Sequence, residues 1–385
     1  MLNRTIRLFL CLGLIGGISS HAGAQITVQL LKVRIQKHER TFTIGSSGAC
    51  SVKDLESGIS YRLKNNHRYV VRAIGRDIVM SGKTLSPRVE IISENVESRI
   101  MVNGVDYRGN IAFFDKEGRL SAVNELDVEL YLYGVLPKEV IALWPEESLK
   151  SQAVISRSFA LKNLSHHSKE GYDLCDTTHC QVYGGVESEH RRTNDAVNKT
   201  RGEVLFYEGK LASTFFHGSC GGHTENIEDV WGGKAPEYLR GRSVKYANSP
   251  AKDYWKNGVG ESLVRRKLNE AGYDVGEIHK IRMVGRTRSG RTKELKIQGD
   301  RGTAEVQAGK FRVMVDPWKI KSTLFEDISR DGDSFVFSGY GWGHGVGLCQ
   351  ESAKNMALNG YNYENILKYF YPGTYLAKWD EEEHS

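Results

Sequence analysis

Residues 341–350 read Gly-Trp-Gly-His-Gly-Val-Gly-Leu-Cys-Gln, so glycine alternates with Trp342, His344 and Val346. Glycine weakens a strand interior unless backbone or ligand must approach closely. A run that lacks every other side chain cannot fill a core from both faces. It leaves an aromatic ring and an imidazole over a bare floor, and the expectation is the lining of a cleft. A Gly-rich turn that merely carries a tryptophan is the alternative. The apolar strand before the run, at 335–338, and the helix after it, at 350–358 and stopped by Gly360, favour the cleft.

The N-terminus constrains where such a chain works. Arg4 and Arg7 precede an apolar run at 8–16, and Ala22-Gly23-Ala24 follows in an A-x-A pattern. This is the signature of a secretory signal peptide, cut before Gln25. The run is shorter than the ~20 apolar residues that cross a bilayer, so no membrane span is expected after cleavage; a retained anchor is the alternative. The mature chain keeps Cys50, Cys175, Cys180, Cys220 and Cys349, and Cys11 is lost with the leader. Outside the cytoplasm cysteines tend to pair or to bind metal, and an odd number cannot close a pure disulfide framework. A net charge of +6 suits an anionic polymer. Nucleic acid is a poor partner for a secreted chain without a binding motif.

With 385 residues the chain has room for about two or three domains. Residues 25–120 read as short strands, at 27–34, 69–73, 88–92 and 99–102, broken by turns such as Asn103-Gly104. This β-rich region carries no evident chemistry. The first strong helix spans 145–164, with Pro145 at its first position and Glu146 and Glu147 at the positive end of its dipole. Strands at 203–207 and 211–216, a helix at 261–271, strands at 293–297 and 303–307, and a last helix at 362–370 follow. The fold class is α+β with a mixed open sheet. Residues 377–385 form an acidic tail.

Three constellations carry chemistry. In Cys175-Asp-Thr-Thr-His179-Cys180, two thiolates and an imidazole within six positions can converge on one Zn²⁺, with a fourth ligand from His166 or His167. A Cys175–Cys180 disulfide with a bystander His179 is the rival. In His217-Gly-Ser-Cys220-Gly-Gly-His223, the small residues match the texture of 341–350, as if two strand ends faced one cleft. Here His217, Cys220 and His223 are further candidate ligands, and a Cys220–Cys349 disulfide competes. Glu139 lies among apolar neighbours, which disfavour its charged form and raise its pKa as a general acid requires. A surface glutamate paired to Lys138 or Arg157 is the other reading, and the residues alone leave both open.

Together these motifs resemble the stage II sporulation protein D / amidase-enhancer family of cell-wall proteins. The resemblance covers residues 121–376 and rests on Tyr133-Gly134-Val135 with Glu139, on Trp144-Pro145-Glu-Glu147 with Gln152-Ala153 and Arg157, and on His179-Cys180-Gln181-Val182-Tyr183-Gly184. It continues through Gly221-Gly222-His223-Thr224, Trp255, Gly341-Trp342-Gly343-His344-Gly345-Val346-Gly347 and Gln350. The chain departs from the family pattern at Val140-Ile141, Cys220, Cys349 and Glu351-Ser352.

The resemblance implies a secreted lytic transglycosylase, a lyase of the periplasm or cell wall, acting on peptidoglycan glycan strands stripped of stem peptides. Glu139 would be its single acid/base, and helices around a long glycan-binding cleft would complete the α+β fold. A structural zinc would be held by Cys175, His179 and Cys180. Trp342, Trp231 and Tyr183 would stack on sugars, and His344 or His223 would hydrogen-bond them, with Gln181 and Gln350 as further contacts. The basic residues of 264–293 would select denuded, polyanionic strands, unless they are simply a solvated face. The rival function is a non-catalytic glycan-binding enhancer of a cell-wall amidase, which would tolerate loss of Glu139. A zinc hydrolase fits less well, because Cys-rich closed sites are more often structural.

Overall fold

Alternation of buried and exposed residues builds the N-terminal half of the protein, seen in a computed structural model that describes residues 29–116 and 118–379. The expected signal peptide and the last residues of the expected acidic tail lie outside the described residues. Two compact units divide the chain. The first comprises residues up to Leu143, Ala153–Val204 and the end of the chain; the second comprises Trp144–Gln152 and Leu205–Leu376.

In the first unit a seven-stranded sheet runs, in spatial order, Leu174–Cys175, Leu30–Glu39, Arg119–Asp127, Asn110–Lys116, Arg88–Ser93, Cys50–Asp54 and Ser60–Arg62. A six-stranded sheet contains Val105–Tyr107, Arg99–Val102, Thr41–Ser47, Arg68–Ile74, Asp77–Met80 and Lys83–Leu85. Their inward faces supply Phe42, Ile44, Val52, Ile91 and Phe113, all essentially fully buried, and the rings of Phe42 and Phe113 lie 5.4 Å apart. Asn103 and Gly104, at φ 50° and 90°, make the two-residue turn that joins Arg99–Val102 to Val105–Tyr107.

The fold class is therefore α+β with a β-rich N-terminal region. That region also has a positioning role. Strand Leu30–Glu39 pairs in parallel with Leu174–Cys175, in the register Val33↔Leu174 and Arg34↔Cys175. Asp173 locks the junction, its carboxylate accepting from the Lys32 N–H at 2.9 Å while its own N–H donates to the Lys32 carbonyl at 2.7 Å.

Helix α1, Val128–Glu139, precedes the expected first helix and has no clear amphipathic period, because Val128, Glu129, Tyr131, Leu132, Gly134, Val135 and Leu136 are all buried. Pro137 in its last turn hides it further. The next helix, α2, spans Glu146–Lys162, and the division between the units falls inside it. Among the described residues no helix is long and apolar enough to cross a membrane.

The second unit packs the sheet of Tyr254–Gly260, Ser334–Tyr340 and Phe325–Asp331, the sheet of Ile278–Arg286, Thr292–Gly299 and Thr303–Gln307, and the helices Glu261–Glu270 and Ala308–Val315. Trp255, Val264, Leu268, Leu295, Phe311, Phe325 and Phe337 form its core. The stretch 211–216 is mostly not strand. Only its ends are, Leu211 in the short strand Lys210–Leu211 and Phe216 in Phe216–His217, the latter paired in parallel with Leu348–Cys349.

Candidate functional site

Glu139 closes α1. Asp127 caps the other end, accepting from the Glu129 N–H at 2.9 Å, and the helix stops where Val140 turns extended. The Glu139 carboxylate accepts the Val182 N–H through Oε1 at 3.1 Å. Burial pushes its pKa up from 4.5 to about 7, against the opposing pull of that hydrogen bond. Arg157, one of the two cations that sequence offered as its partner, is taken elsewhere. Its guanidinium grips Glu129 at 2.9 and 2.7 Å, both side chains being buried.

In the same unit the loop after α2 gathers His167, Cys175, His179 and Cys180, one donor atom from each lying within 4.8 Å of the others. His179 Nδ1 is 3.7 Å from the Cys175 sulfur and 3.6 Å from that of Cys180, and His167 Nε2 is 3.5 Å from the Cys180 sulfur. Bonds of about 2.0–2.3 Å from one tetrahedral ion would put its ligands at about these separations. The other ring nitrogen of His167 faces the Glu170 carboxylate at 3.0 Å, the outer-shell pairing that orients a ligating imidazole. The residues thus fit a metal ion, with His167 as the fourth donor. A hydrogen bond shared by the two sulfurs, donated by Cys180, lowers the Cys175 pKa and raises that of Cys180. All five cysteines among the described residues are free thiols.

Two expected sugar contacts are core residues instead. Tyr183 is only 6% exposed, its ring packed beside Tyr107 and Tyr131 and its hydroxyl donating to Asn124 at 2.8 Å. A ring covered in this way offers no face to a sugar. Gln181 is likewise buried and accepts from the Tyr131 hydroxyl at 3.4 Å.

In the second unit the glycines of 341–347 serve the protein rather than a cleft floor. Gly341, Gly343, Gly345 and Gly347 all lie in the left-handed region, at φ 75°, 106°, 90° and 72°. Each lacks a side chain where one would strike the protein: Ser219 O for Gly341, the His217 side chain for Gly343, the Arg291 guanidinium for Gly345 and Phe215 O for Gly347. The run is laid against 215–221, with Ser219 bridged to Trp342.

The aromatic side chains that remain form two groups. Trp231, 53% exposed, packs within 4.9 Å of both Phe215 and His344. Trp342, 42% exposed, meets Trp318 edge-on at 5.9 Å, with the Lys321 ammonium 5.0 Å from its ring. His344 accepts the Val346 N–H on Nδ1 at 3.0 Å, and burial, with neighbouring positive charge, holds its pKa well below the usual value, so it is a neutral donor rather than a cation. His223 Nδ1 donates to the Thr224 carbonyl at 2.6 Å. Gln350 is buried and bonded to Gln152 at 3.3 Å. Beside Tyr340, between Gly221-Gly222 and 244–250, opens a depression of about 510 Å³.

His217 and Cys220 gather with Cys349, not with His223. The basic run of 264–293 does not form one face. Arg265 pairs with Glu261, Arg266 and Lys267 with Glu270, and Arg291 is buried, leaving Lys280, Arg282, Arg286, Arg288 and Lys293 exposed. Sequence reasoning gave no site role to Phe215, which it placed in a strand, to Trp318, or to Lys321, which it noted only within the motif Lys321-Ser322.

Comparison with known proteins points to one family. A family described as stage II sporulation protein matches residues 116–207, the segment that holds Glu139 and the first Cys–His cluster, and a domain of unknown function matches 251–347. An uncharacterized protein of Brachyspira hyodysenteriae is 34% identical over 72% of this chain and 74% of its own length. The amidase enhancer of Bacillus subtilis is 29% identical over 84% of this chain, which spans only 51% of that relative. The stage II sporulation protein D of Bacillus subtilis is 28% identical over 67% of this chain and 77% of its own length. With the motifs around Glu139, the Cys–His loop and the glycine run in order along one chain, the protein belongs to the stage II sporulation protein D / amidase-enhancer family.

Proposed function

We propose that the protein remodels the bacterial cell wall as a secreted lytic transglycosylase that cleaves peptide-stripped peptidoglycan strands. The observation that carries this reading is Glu139, a carboxyl at the end of a buried helix with a pKa of about 7. Such a group is substantially protonated at neutral pH and can act as acid and then as base. Ordinary glycoside hydrolysis uses two carboxylates. Here one suffices, because the sugar's own C6 hydroxyl displaces the leaving group. Glu139 donates its proton to the glycosidic oxygen as the C1–O bond breaks. It then takes the C6 hydroxyl proton as O6 bonds to C1, leaving a 1,6-anhydro-muramic end. Exposed Trp231 and Trp342 offer apolar faces for sugar rings, and His223 and the neutral His344 offer hydrogen bonds.

Zinc suits the donor set Cys175, Cys180, His167 and His179, and when bound would supply a structural cross-link of the 175–182 loop. The Val182 N–H of that loop bonds Glu139, so its order bears on the acid's position.

The name of the amidase-enhancer relative supports a second reading, a glycan-binding partner of a cell-wall amidase. Incubation with peptide-stripped peptidoglycan, read by mass spectrometry, separates the two. The enzyme yields 1,6-anhydro-muramic products that vanish in Glu139→Gln. An enhancer yields none, while Glu139→Gln binds strands as well as the parent.

A further inference from the structure

His217, Cys220 and Cys349 come together from strand ends 129 residues apart in sequence. The parallel pairing Phe216↔Leu348 and His217↔Cys349 sets the imidazole beside one sulfur, and the turn after Ser219 brings in the other. A ring nitrogen of His217 and the two sulfurs lie within 4.8 Å of one another, and the three residues are buried, the cysteines wholly and His217 to 4% exposure.

Three features decide what this pocket holds. His217 Nδ1 donates to the Val346 carbonyl at 3.1 Å, so Nε2 is the ring nitrogen left to ligate. That Nε2 is buried and has no hydrogen-bond partner, an arrangement that costs roughly 1–3 kcal/mol if nothing satisfies it. The Cys349 sulfur accepts from the Ser352 hydroxyl at 2.9 Å and from the Cys220 N–H at 3.3 Å, so it is held in place facing the pocket. Behind them the buried Arg291 guanidinium donates to the Cys220 carbonyl at 2.8 Å and brings compensating positive charge.

A Cys220–Cys349 disulfide would satisfy the sulfurs and strand the imidazole. A cation satisfies all three, and the Nδ1–H···O=C bond is the outer-shell contact that orients a ligating histidine. We propose a second metal site, formed by His217 Nε2 and the Cys220 and Cys349 sulfurs, that takes a thiophilic divalent cation of the zinc class. Its burial makes it structural. It clamps 216–220 to 348–349 and so fixes the segments that carry Trp342 and His344, whether or not Glu139 is a catalytic acid.

The test is metal content and cobalt spectroscopy on the mature full chain. Two equivalents of zinc by mass spectrometry in the parent protein are expected, falling to one in Cys220→Ser/Cys349→Ser and to one in Cys175→Ser/Cys180→Ser. Cobalt bound to the latter variant should show thiolate-to-metal charge transfer. A metal content that is unchanged in Cys220→Ser/Cys349→Ser overturns the proposal, as does a Cys220–Cys349 disulfide in unreduced peptide maps. If that variant fails to fold, absence of the cobalt charge-transfer band from Cys175→Ser/Cys180→Ser overturns it.

Discussion

The backbone N–H of Val182 donates to Oε1 of Glu139 at 3.1 Å, and Val182 follows Cys180 by two residues. The loop that gathers the first Cys–His cluster is thus also the loop that orients the candidate acid. Cys180→Ser, or removal of metal by a chelator, should speed hydrogen exchange at the Val182 amide and cut glycan cleavage by tenfold or more. Unchanged exchange would separate the loop from the acid.

Glu139→Gln should abolish cleavage, since loss of general acid catalysis costs about 10²–10⁴-fold. It should also stabilise the fold at high pH. The folded-state pKa of about 7 lies above the ordinary 4.5, so the native state binds the extra proton. Stability therefore falls as pH rises from 4.5 through about 7, by at most ~3 kcal/mol. Thermal unfolding should show Glu139→Gln more stable than the parent at pH 8 and equal to it at pH 4.5.

As a general acid with that pKa, Glu139 should give cleavage that declines as pH climbs past about 7. Burial raises that pKa, and the Val182 amide opposes the shift. A rate that holds level to pH 9 would count against the assignment.

Glu129→Ala should be among the most damaging substitutions in the first unit. It leaves Arg157, with 0% side-chain exposure, charged and without its carboxylate. Breaking a buried pair from one side costs about 3–5 kcal/mol, which urea unfolding would measure. Glu129→Ala with Arg157→Met should recover part of the loss.

Gly347→Ala and Gly360→Ala make a controlled pair. Both positions have positive φ, 72° and 83°, but an added Cβ at Gly347 is driven into the Phe215 carbonyl, whereas Gly360 faces open space. Gly360→Ala should cost about 1–2 kcal/mol for the left-handed backbone. Gly347→Ala should cost at least a further 1–3 kcal/mol for the clash. Equal costs would mean the run is not held against 215–221.

Sequence by itself determined what depends on near neighbours. The helix at 350–358, the strands at 99–102 and 303–307, and the turn at Asn103-Gly104 follow from periodicity and turn chemistry within a few residues. So does the convergence of Cys175, His179 and Cys180, since one tight loop can bring them together. Glu139 stood out because an acid in an apolar stretch is anomalous without any knowledge of the fold.

Tertiary structure decided everything that distant segments impose on one another. Helix α1 is buried on nearly every side, so it shows no polar face to set its period. His167 rather than His166 completes the first cluster because of how the turn after α2 lies against 172–180. Tyr183 and Gln181 belong to the core because Tyr107 and Tyr131 cover them, and Arg157 is spent on Glu129. The glycines of 341–347 were visible as a pattern, but whether a missing Cβ makes room for a sugar or for Phe215 and Arg291 depends on which chain lies opposite. Spacing rules report contacts within a turn or a hairpin; pairing between residues more than a hundred positions apart is fixed only when the core closes around them.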